Sequence, residues 1–94
     1  MAMMTVNGQR LQAHLEALAD IARTPDGICR LSYSDSFWKS NAYVAQLMRE
    51  AGMSVTTNPV GNVVGTYPGR SPTKITIGSH IDSVVNGGIF DGCL

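Results

Sequence analysis

Two segments in the first half of the chain carry apolar residues at the spacing of an α-helix. The apolar stripe of the first segment consists of Leu11, Leu15, Leu18 and Ala22. Asn7 stands just before this stripe and is a residue type that caps helix N-termini. We expect the helix to end near Arg23, because Pro25 disfavours helical geometry in the residue that precedes it.

The second helical segment is marked at both of its ends. Its apolar stripe consists of Phe37, Val44, Leu47, Met48 and Ala51. Either Ser34 or Ser36 is suited to cap its N-terminus, since a serine hydroxyl can accept a hydrogen bond from a backbone N–H of the first turn. Gly52 is suited to end it, because glycine readily takes the left-handed conformation found just past helix C-termini.

Beyond Gly52 the apolar pattern changes to an alternation with period two, which is typical of β-strands. Residues 53–57 alternate, Asn58 and Pro59 interrupt the run, and residues 60–67 resume it, so we predict a β-hairpin here. Residues 74–79 form a further predicted strand with Ile75 and Ile77 on one face.

Two helices followed by strands predict an α/β fold, with a mixed sheet and helices packed on it. A last strand that leads into a glycine-rich loop is normally followed by another helix in this architecture. We therefore interpret residues 1–94 as the N-terminal part of a larger domain, in a chain that is truncated.

Composition and charge narrow the class of protein. Hydrophobic residues make up 44% and charged residues 15% of the chain, which excludes a wholly disordered protein. Seven basic residues balance seven acidic ones, so we expect neither nucleic acid nor a membrane surface as a partner. Cys29 and Cys93 make no disulfide framework, and the N-terminus has no apolar signal segment, so the expected location is cytoplasmic.

Candidate chemistry is concentrated in residues 75–94, which contain His80, Asp82 and Asp91 but no Lys or Arg. An imidazole beside two carboxylates suits a bound cation. His80 and Asp82 are two positions apart in a predicted strand, so Asp82 can hold one ring nitrogen while the other faces a metal. The turn residues 86–88 can bring Asp91 back to the same place. The alternative is a loop whose polar side chains are merely solvated or hydrogen-bonded.

A resemblance favours the metal site. Residues 78–88 (GSHIDSVVNGG) and 90–92 (FDG) resemble the first metal-binding motif of the M20 metallopeptidase superfamily. They are most similar to its ureido-amidohydrolase branch, which comprises N-carbamoyl-L-amino-acid hydrolases and allantoate amidohydrolases, with a lean towards the latter. Residues 30–34, 48–53 and 60–65 resemble blocks that precede this motif in the same branch. The resemblance implies the start of a di-metal, aminopeptidase-like catalytic domain.

The resemblance also implies roles and partners. His80 would be a ligand of one metal, Asp91 would bridge two metals, and Asp82 would be the catalytic-site residue that orients His80. The implied cofactors are two divalent ions, zinc or manganese, with cobalt and nickel as alternatives. The implied reaction is hydrolysis of the ureido or amide C–N bond of a small molecule, allantoate or an N-carbamoyl-L-amino acid, by metal-activated water in a homodimer.

A second hypothesis belongs to another class of protein. The general base and the remaining metal ligands of the family lie downstream of residue 94, and no Glu follows Glu50. The chain would then be a non-catalytic truncated fragment, or a binding module with an incomplete metal site. We expect no turnover from these residues alone.

Overall fold

The computed structural model describes residues 5–92, in which each of two helices is followed by a short antiparallel hairpin. The helices are α1 (Gly8–Ile21) and α2 (Asp35–Glu50). The first hairpin pairs β1 (Arg23–Thr24) with β2 (Gly27–Ile28), and the second pairs β3 (Ser54–Thr57) with β4 (Val63–Thr66). Cys93 lies outside the described residues, so the prediction about the two cysteines stays a prediction.

Side chains cap both helices as predicted. Asn7 Oδ1 accepts a hydrogen bond from the Arg10 backbone N–H at 3.0 Å, and Ser34 Oγ accepts one from the Phe37 N–H at 3.2 Å. Ser36, the alternative cap, instead donates to the carbonyl of the preceding loop residue 29. Gly52 takes a φ of 90° just past the end of α2, which is the left-handed conformation expected there.

The second hairpin also forms where it is predicted. Ser54 pairs with Thr66 at its open end and Thr57 with Val63 at its turn. Asn58 Oδ1 organises the turn by accepting from the backbone N–H groups of residues 60 and 62, at 3.1 and 2.9 Å. A hairpin of only two strands needs packing to be stable, and this one contacts α2 through both of its strands.

The core differs in part from the predicted stripes. It comprises Leu15, Leu18, Ala19, Ala22, Ile28 and Ala45. Two members of the apolar stripes lie outside this core, since Leu11 is 42% exposed and Ala51 is exposed. The buried face of α2 also includes Ser40 and Asn41. Asn41 Nδ2 donates to the Gly61 carbonyl at 3.1 Å and so ties the helix to the hairpin turn.

The predicted strand at residues 74–79 is wrong for the part of the chain that the structure describes. Ile75 and Ile77 are both 92% exposed, and the segment makes no strand ladder with another part of residues 5–92. The alternating pattern is real, but a strand exists only where a neighbouring backbone supplies hydrogen bonds. The observed sheets supply none to this segment.

The α/β class is confirmed: helices and small sheets share one chain. Both sheets observed within residues 5–92 are antiparallel, and the mixed sheet stays a prediction. Across the same residues, neither helix is long and apolar enough to cross a bilayer.

Candidate metal-binding site

The segment that carries the predicted ligands is hydrogen-bonded to the end of β2 and to the residues just after it. Gly87 exchanges two backbone hydrogen bonds with Ile28, at 2.9 and 2.8 Å. Closer to the candidate ligands, the Arg30 N–H donates to Ser83 Oγ at 2.8 Å, and the Ser83 N–H donates to the Arg30 carbonyl, also at 2.8 Å. These bonds place residues 81–87 beside residues 28–30.

A buried arginine strengthens this attachment. Arg30 is 1% exposed, and its Nε donates to the Ile81 carbonyl, between the two predicted site residues His80 and Asp82. Its Nη1 donates to the Leu18 carbonyl at 3.3 Å. Leu18 lies in the last turn of α1, where unpaired carbonyls carry partial negative charge that favours a cation. Arg30 therefore joins the end of α1 to the candidate site.

His80 is held through Nδ1. This nitrogen lies 3.1 Å from Asp82 Oδ1 and 3.0 Å from the Asp82 carbonyl oxygen. Both partners accept hydrogen bonds, so in the neutral ring the proton belongs on Nδ1 and the lone pair on Nε2. Ser32 Oγ donates to the other carboxylate oxygen, Asp82 Oδ2, at 3.1 Å. The Nδ1 contact with Asp82 is the one that the spacing of His80 and Asp82 predicts, and it leaves Nε2 as the ring nitrogen that could bind a metal.

Asp91 reaches the same region by a reversal of the chain. Asn86 takes a φ of 59°, which supplies the turn expected of residues 86–88. The loop then closes with a hydrogen bond from the Gly88 N–H to Asp91 Oδ2 at 2.7 Å. Together these residues form one cavity of about 290 Å³, lined by His80, Asp82, Ser83, Val84, Asp91 and Gly92. All three predicted site residues therefore border a single cavity.

Gly92 is a site residue that the sequence reasoning missed. A Cβ at this position would stand 2.6 Å from His80 Nε2 and 2.7 Å from Nδ1, inside the space of the ring. Its φ of 80° is also a conformation that glycine adopts cheaply. The absence of a side chain beside Asp91 thus lets the imidazole and the loop approach each other. Gly92 belongs to the sequence motif, but the motif alone does not show that its backbone lies against the His80 ring.

The donor set fits part of a metal site. His80 Nε2 and the Asp91 carboxylate are ligand types suited to zinc and manganese, and a carboxylate retains acceptor capacity beside one N–H bond. Among residues 5–92, however, no group of three or more His, Cys, Asp or Glu side chains is arranged to hold a metal. A complete coordination sphere would need ligands from elsewhere, and the metal roles of His80 and Asp91 stay predictions.

Comparison with known proteins supports the resemblance to amidohydrolases that the motif of residues 78–92 indicates. No protein-family model matches the chain. It is 42% identical over 97 aligned residues to the N-carbamoyl-L-amino-acid amidohydrolase of Pseudomonas sp. (strain NS671), covering 100% of this chain and 23% of that protein. It is 37% identical over 82 residues to the allantoate amidohydrolase of Bacillus subtilis (strain 168), covering 84% of this chain and 20% of that protein.

A solved structure is also similar to this chain. The crystal structure of a Burkholderia cenocepacia protein assigned as an amidohydrolase/peptidase superposes with a TM-score of 0.79 at 41% sequence identity. The match covers 87% of this chain and 21% of that one. The chain therefore spans about a quarter or less of the proteins that it matches.

Proposed function

We propose, from the premise that this chain is similar over its whole length to an N-carbamoyl-L-amino-acid amidohydrolase and over 84% of it to an allantoate amidohydrolase, that it supplies metal-binding residues to such an enzyme. The substrate would be a small ureido or amide compound, an N-carbamoyl-L-amino acid or allantoate. The bond broken would be the C–N bond beside the carbonyl. A homodimer is part of the same proposal.

The observation that carries the proposal is the shared cavity of His80 and Asp91, with the His80 tautomer set by Asp82. His80 would bind one metal through Nε2. Asp91 would bind with its carboxylate, whose two oxygens can serve two ions and offset the repulsion between them. Asp82 would touch no metal, and its role would be to keep the imidazole neutral at Nε2 and correctly turned.

The cofactors proposed are two divalent ions, zinc or manganese, with cobalt and nickel as alternatives, since imidazole and carboxylate suit all four. Such ions supply Lewis-acid chemistry: they lower the pKa of water and polarise the scissile carbonyl. The residues of this chain contribute by binding and orientation. None of His80, Asp82 and Asp91 is assigned the role of the general base, the group that takes up a proton from the water.

A chimaera tests the proposal sharply. Residues 5–92 would replace the aligned segment of the Pseudomonas amidohydrolase, which is 42% identical in this region. We expect the chimaera to hydrolyse an N-carbamoyl-L-amino acid, to lose activity on chelation, and to regain it with added metal. His80→Ala and Asp91→Ala should each lower both metal content and activity. His14→Ala is the matched control, because His14 lies on α1 outside the candidate cavity.

The outcomes separate the parts of the proposal. Full activity after exhaustive chelation would contradict metal dependence. Full activity and metal content in His80→Ala would contradict the assignment of the ligand. Assays with allantoate and with the N-carbamoyl substrate would decide between the two. Motif residues 84–88 favour allantoate, whereas the 42% identity to an N-carbamoyl-L-amino-acid amidohydrolase favours the N-carbamoyl substrate.

A second candidate function is a non-catalytic module with an incomplete metal site. It is favoured by the lack of any three-ligand group among residues 5–92. On this hypothesis the 94-residue chain binds metal weakly or not at all and turns over no substrate. Measurable hydrolysis of either substrate by this purified chain would exclude it.

A further inference from the structure

We propose that Ser32 is a positioning residue that fixes the tautomer and orientation of His80 through Asp82. The inference concerns the proposed metal site and rests on the proposed function for its biological meaning. The physical claim itself, that Ser32 controls the state of the His80 ring, can be measured without a metal.

The geometry places three side chains in a line of hydrogen bonds. Ser32 Oγ donates to Asp82 Oδ2 at 3.1 Å, and Asp82 Oδ1 lies 3.1 Å from His80 Nδ1. Each carboxylate oxygen therefore has its own partner. A carboxylate with one partner can rotate about its bond to Cβ, whereas a carboxylate held at both oxygens is fixed in plane and direction. Ser32 supplies the second of these restraints.

Ser32 is itself held on both sides by backbone contacts. Arg30, two positions earlier, is buried and bonded to Ser83 through its backbone. After Ser32, the Ser34 N–H donates to the Leu31 carbonyl at 3.1 Å and closes a turn around it. The hydroxyl thus approaches Asp82 from a segment whose path is already determined, rather than from a free loop.

Water competes for these groups, which limits the size of the effect. The His80 side chain is 66% exposed and that of Asp82 is 43% exposed. An exposed hydrogen bond contributes less than a buried one, so removal of the Ser32 hydroxyl should loosen the ring without releasing it. We expect a change of about three- to tenfold in the tautomer ratio, below the 10- to 100-fold typical when a direct partner of a metal ligand is lost.

The experiment uses nitrogen NMR on the 94-residue chain labelled with ¹⁵N-histidine. The sequence contains two histidines, His14 and His80, so His14 serves as an internal reference. Long-range proton–nitrogen correlations at about pH 8, where an ordinary imidazole is neutral, report which nitrogen carries the proton. The variants are Ser32→Ala, Ser32→Thr, which keeps a hydroxyl, and Ser71→Ala, an exposed serine in the loop 69–73.

The expected result is an His80 ring protonated mainly at Nδ1 in the unsubstituted chain. The ratio of the Nδ1–H to the Nε2–H form should fall about three- to tenfold in Ser32→Ala. It should return towards the original value in Ser32→Thr and stay unchanged in Ser71→Ala. His14 should be the same in all four samples, and unchanged far-UV circular dichroism should show that each variant is folded.

An unchanged His80 ratio in Ser32→Ala would overturn the inference, and so would equal ratios in Ser32→Ala and Ser32→Thr. A Zn²⁺ titration of the same variants in the chimaera, whose other segments would supply the remaining ligands, tests the proposed function separately. Binding of Zn²⁺ at His80 that is about three- to tenfold weaker in Ser32→Ala supports both proposals. A His80 ring that does not respond to Zn²⁺ in any sample contradicts the proposed function, while the tautomer ratio still decides the role of Ser32.

Discussion

The backbone of Gly92 lies against the imidazole of His80, and no side chain could stand between them. A Cβ at Gly92 would be 2.6 Å from His80 Nε2, the nitrogen proposed to bind metal, and both residues line the candidate cavity. The Ser79 hydroxyl donates to the Gly92 carbonyl at 2.7 Å and holds this approach from the other side of the segment. The nitrogen proposed to bind metal thus depends on a glycine twelve positions later in the chain.

The Gly92→Ala variant should therefore displace the His80 ring. Its methyl group would overlap the imidazole, and its φ of 80° adds a backbone cost of about 1–2 kcal/mol for a residue with a Cβ. In the chimaera, we expect metal binding to weaken by about tenfold or more, measured by titration calorimetry. Gly69→Ala is the control, because a Cβ at Gly69 meets nothing within 4 Å. Equal metal affinity in both variants would contradict the importance of this contact.

Arg30 offers a test of how the candidate site is attached to the fold. Its removal leaves the Ile81 and Leu18 carbonyls without their guanidinium partner, in a region where Arg30 itself is 1% exposed. We expect Arg30→Ala to lower the free energy of unfolding by about 2–3 kcal/mol, measured by urea denaturation. Arg30→Lys should recover part of the loss, since an ammonium cannot reproduce the planar fork of the guanidinium.

Arg23→Ala is the matched control for the loss of an arginine. Arg23 forms an ion pair with Asp20 at 3.0 Å, and both side chains are more than half exposed. Exposed ion pairs of this kind contribute about 0.2–1 kcal/mol, so this variant should change stability little. Comparable losses in Arg23→Ala and Arg30→Ala would show that the buried contacts are not what stabilises the chain.

The parts of the structure that could be predicted from the sequence are those determined by neighbours along the chain. Asn7 and Ser34 act on backbone groups three positions away, and the turn at Asn58 is equally local. Periodicity also located the helices and the second hairpin. The same pattern failed at Ile75 and Ile77, because alternation describes a strand's faces but does not provide the backbone that must pair with it.

The grouping of the candidate-site residues could be predicted from the sequence because these residues, too, are close together along the chain. His80, Asp82 and Asp91 fall within twelve consecutive residues, so a motif could bring them together in advance. The contacts of Ser32 with Asp82 and of Arg30 with Ile81 join residues 50 and 51 positions apart. Neither periodicity nor local spacing contains information on such pairs, which follow from how the chain packs after β2.

The negative charge of Asp82 can be tested separately from the shape of its side chain. Asp82→Asn keeps an oxygen that can accept from His80 Nδ1, and the Ser32 hydroxyl can turn to accept from the amide. The geometry is largely retained, but the negative charge beside the imidazole is lost. In the chimaera, we expect metal binding to weaken about tenfold in Asp82→Asn and up to about 100-fold in Asp82→Ala, measured by competition with a chelating dye.

Asp26→Asn is the control for the loss of one carboxylate charge, because Asp26 lies in the exposed turn between β1 and β2. It should leave metal affinity unchanged. If Asp82→Asn and Asp26→Asn bound metal equally well, the charge of Asp82 would have no role, and its contribution would be limited to orientation.

Gly27 connects the first hairpin to the candidate site. Its φ is 141°, and a Cβ there would stand 2.9 Å from the Gly87 carbonyl oxygen, the atom that accepts from the Ile28 N–H. Gly27→Ala should therefore separate the two backbones and break the pair of hydrogen bonds between Ile28 and Gly87. We expect a loss of about 2 kcal/mol in the free energy of unfolding, from backbone strain and the lost bonds together.

Hydrogen exchange distinguishes this local effect from general destabilisation. The amides of Ile28 and Gly87, each of which donates to the other residue's carbonyl, should exchange much faster in Gly27→Ala than in the unsubstituted chain. The Asn62 amide, bonded to Asn58 Oδ1 in the second hairpin, should keep its relative protection. If all three amides lost protection to the same degree, Gly27 would support the whole fold instead of the attachment of residues 81–87, and the anchoring role of β2 would be contradicted.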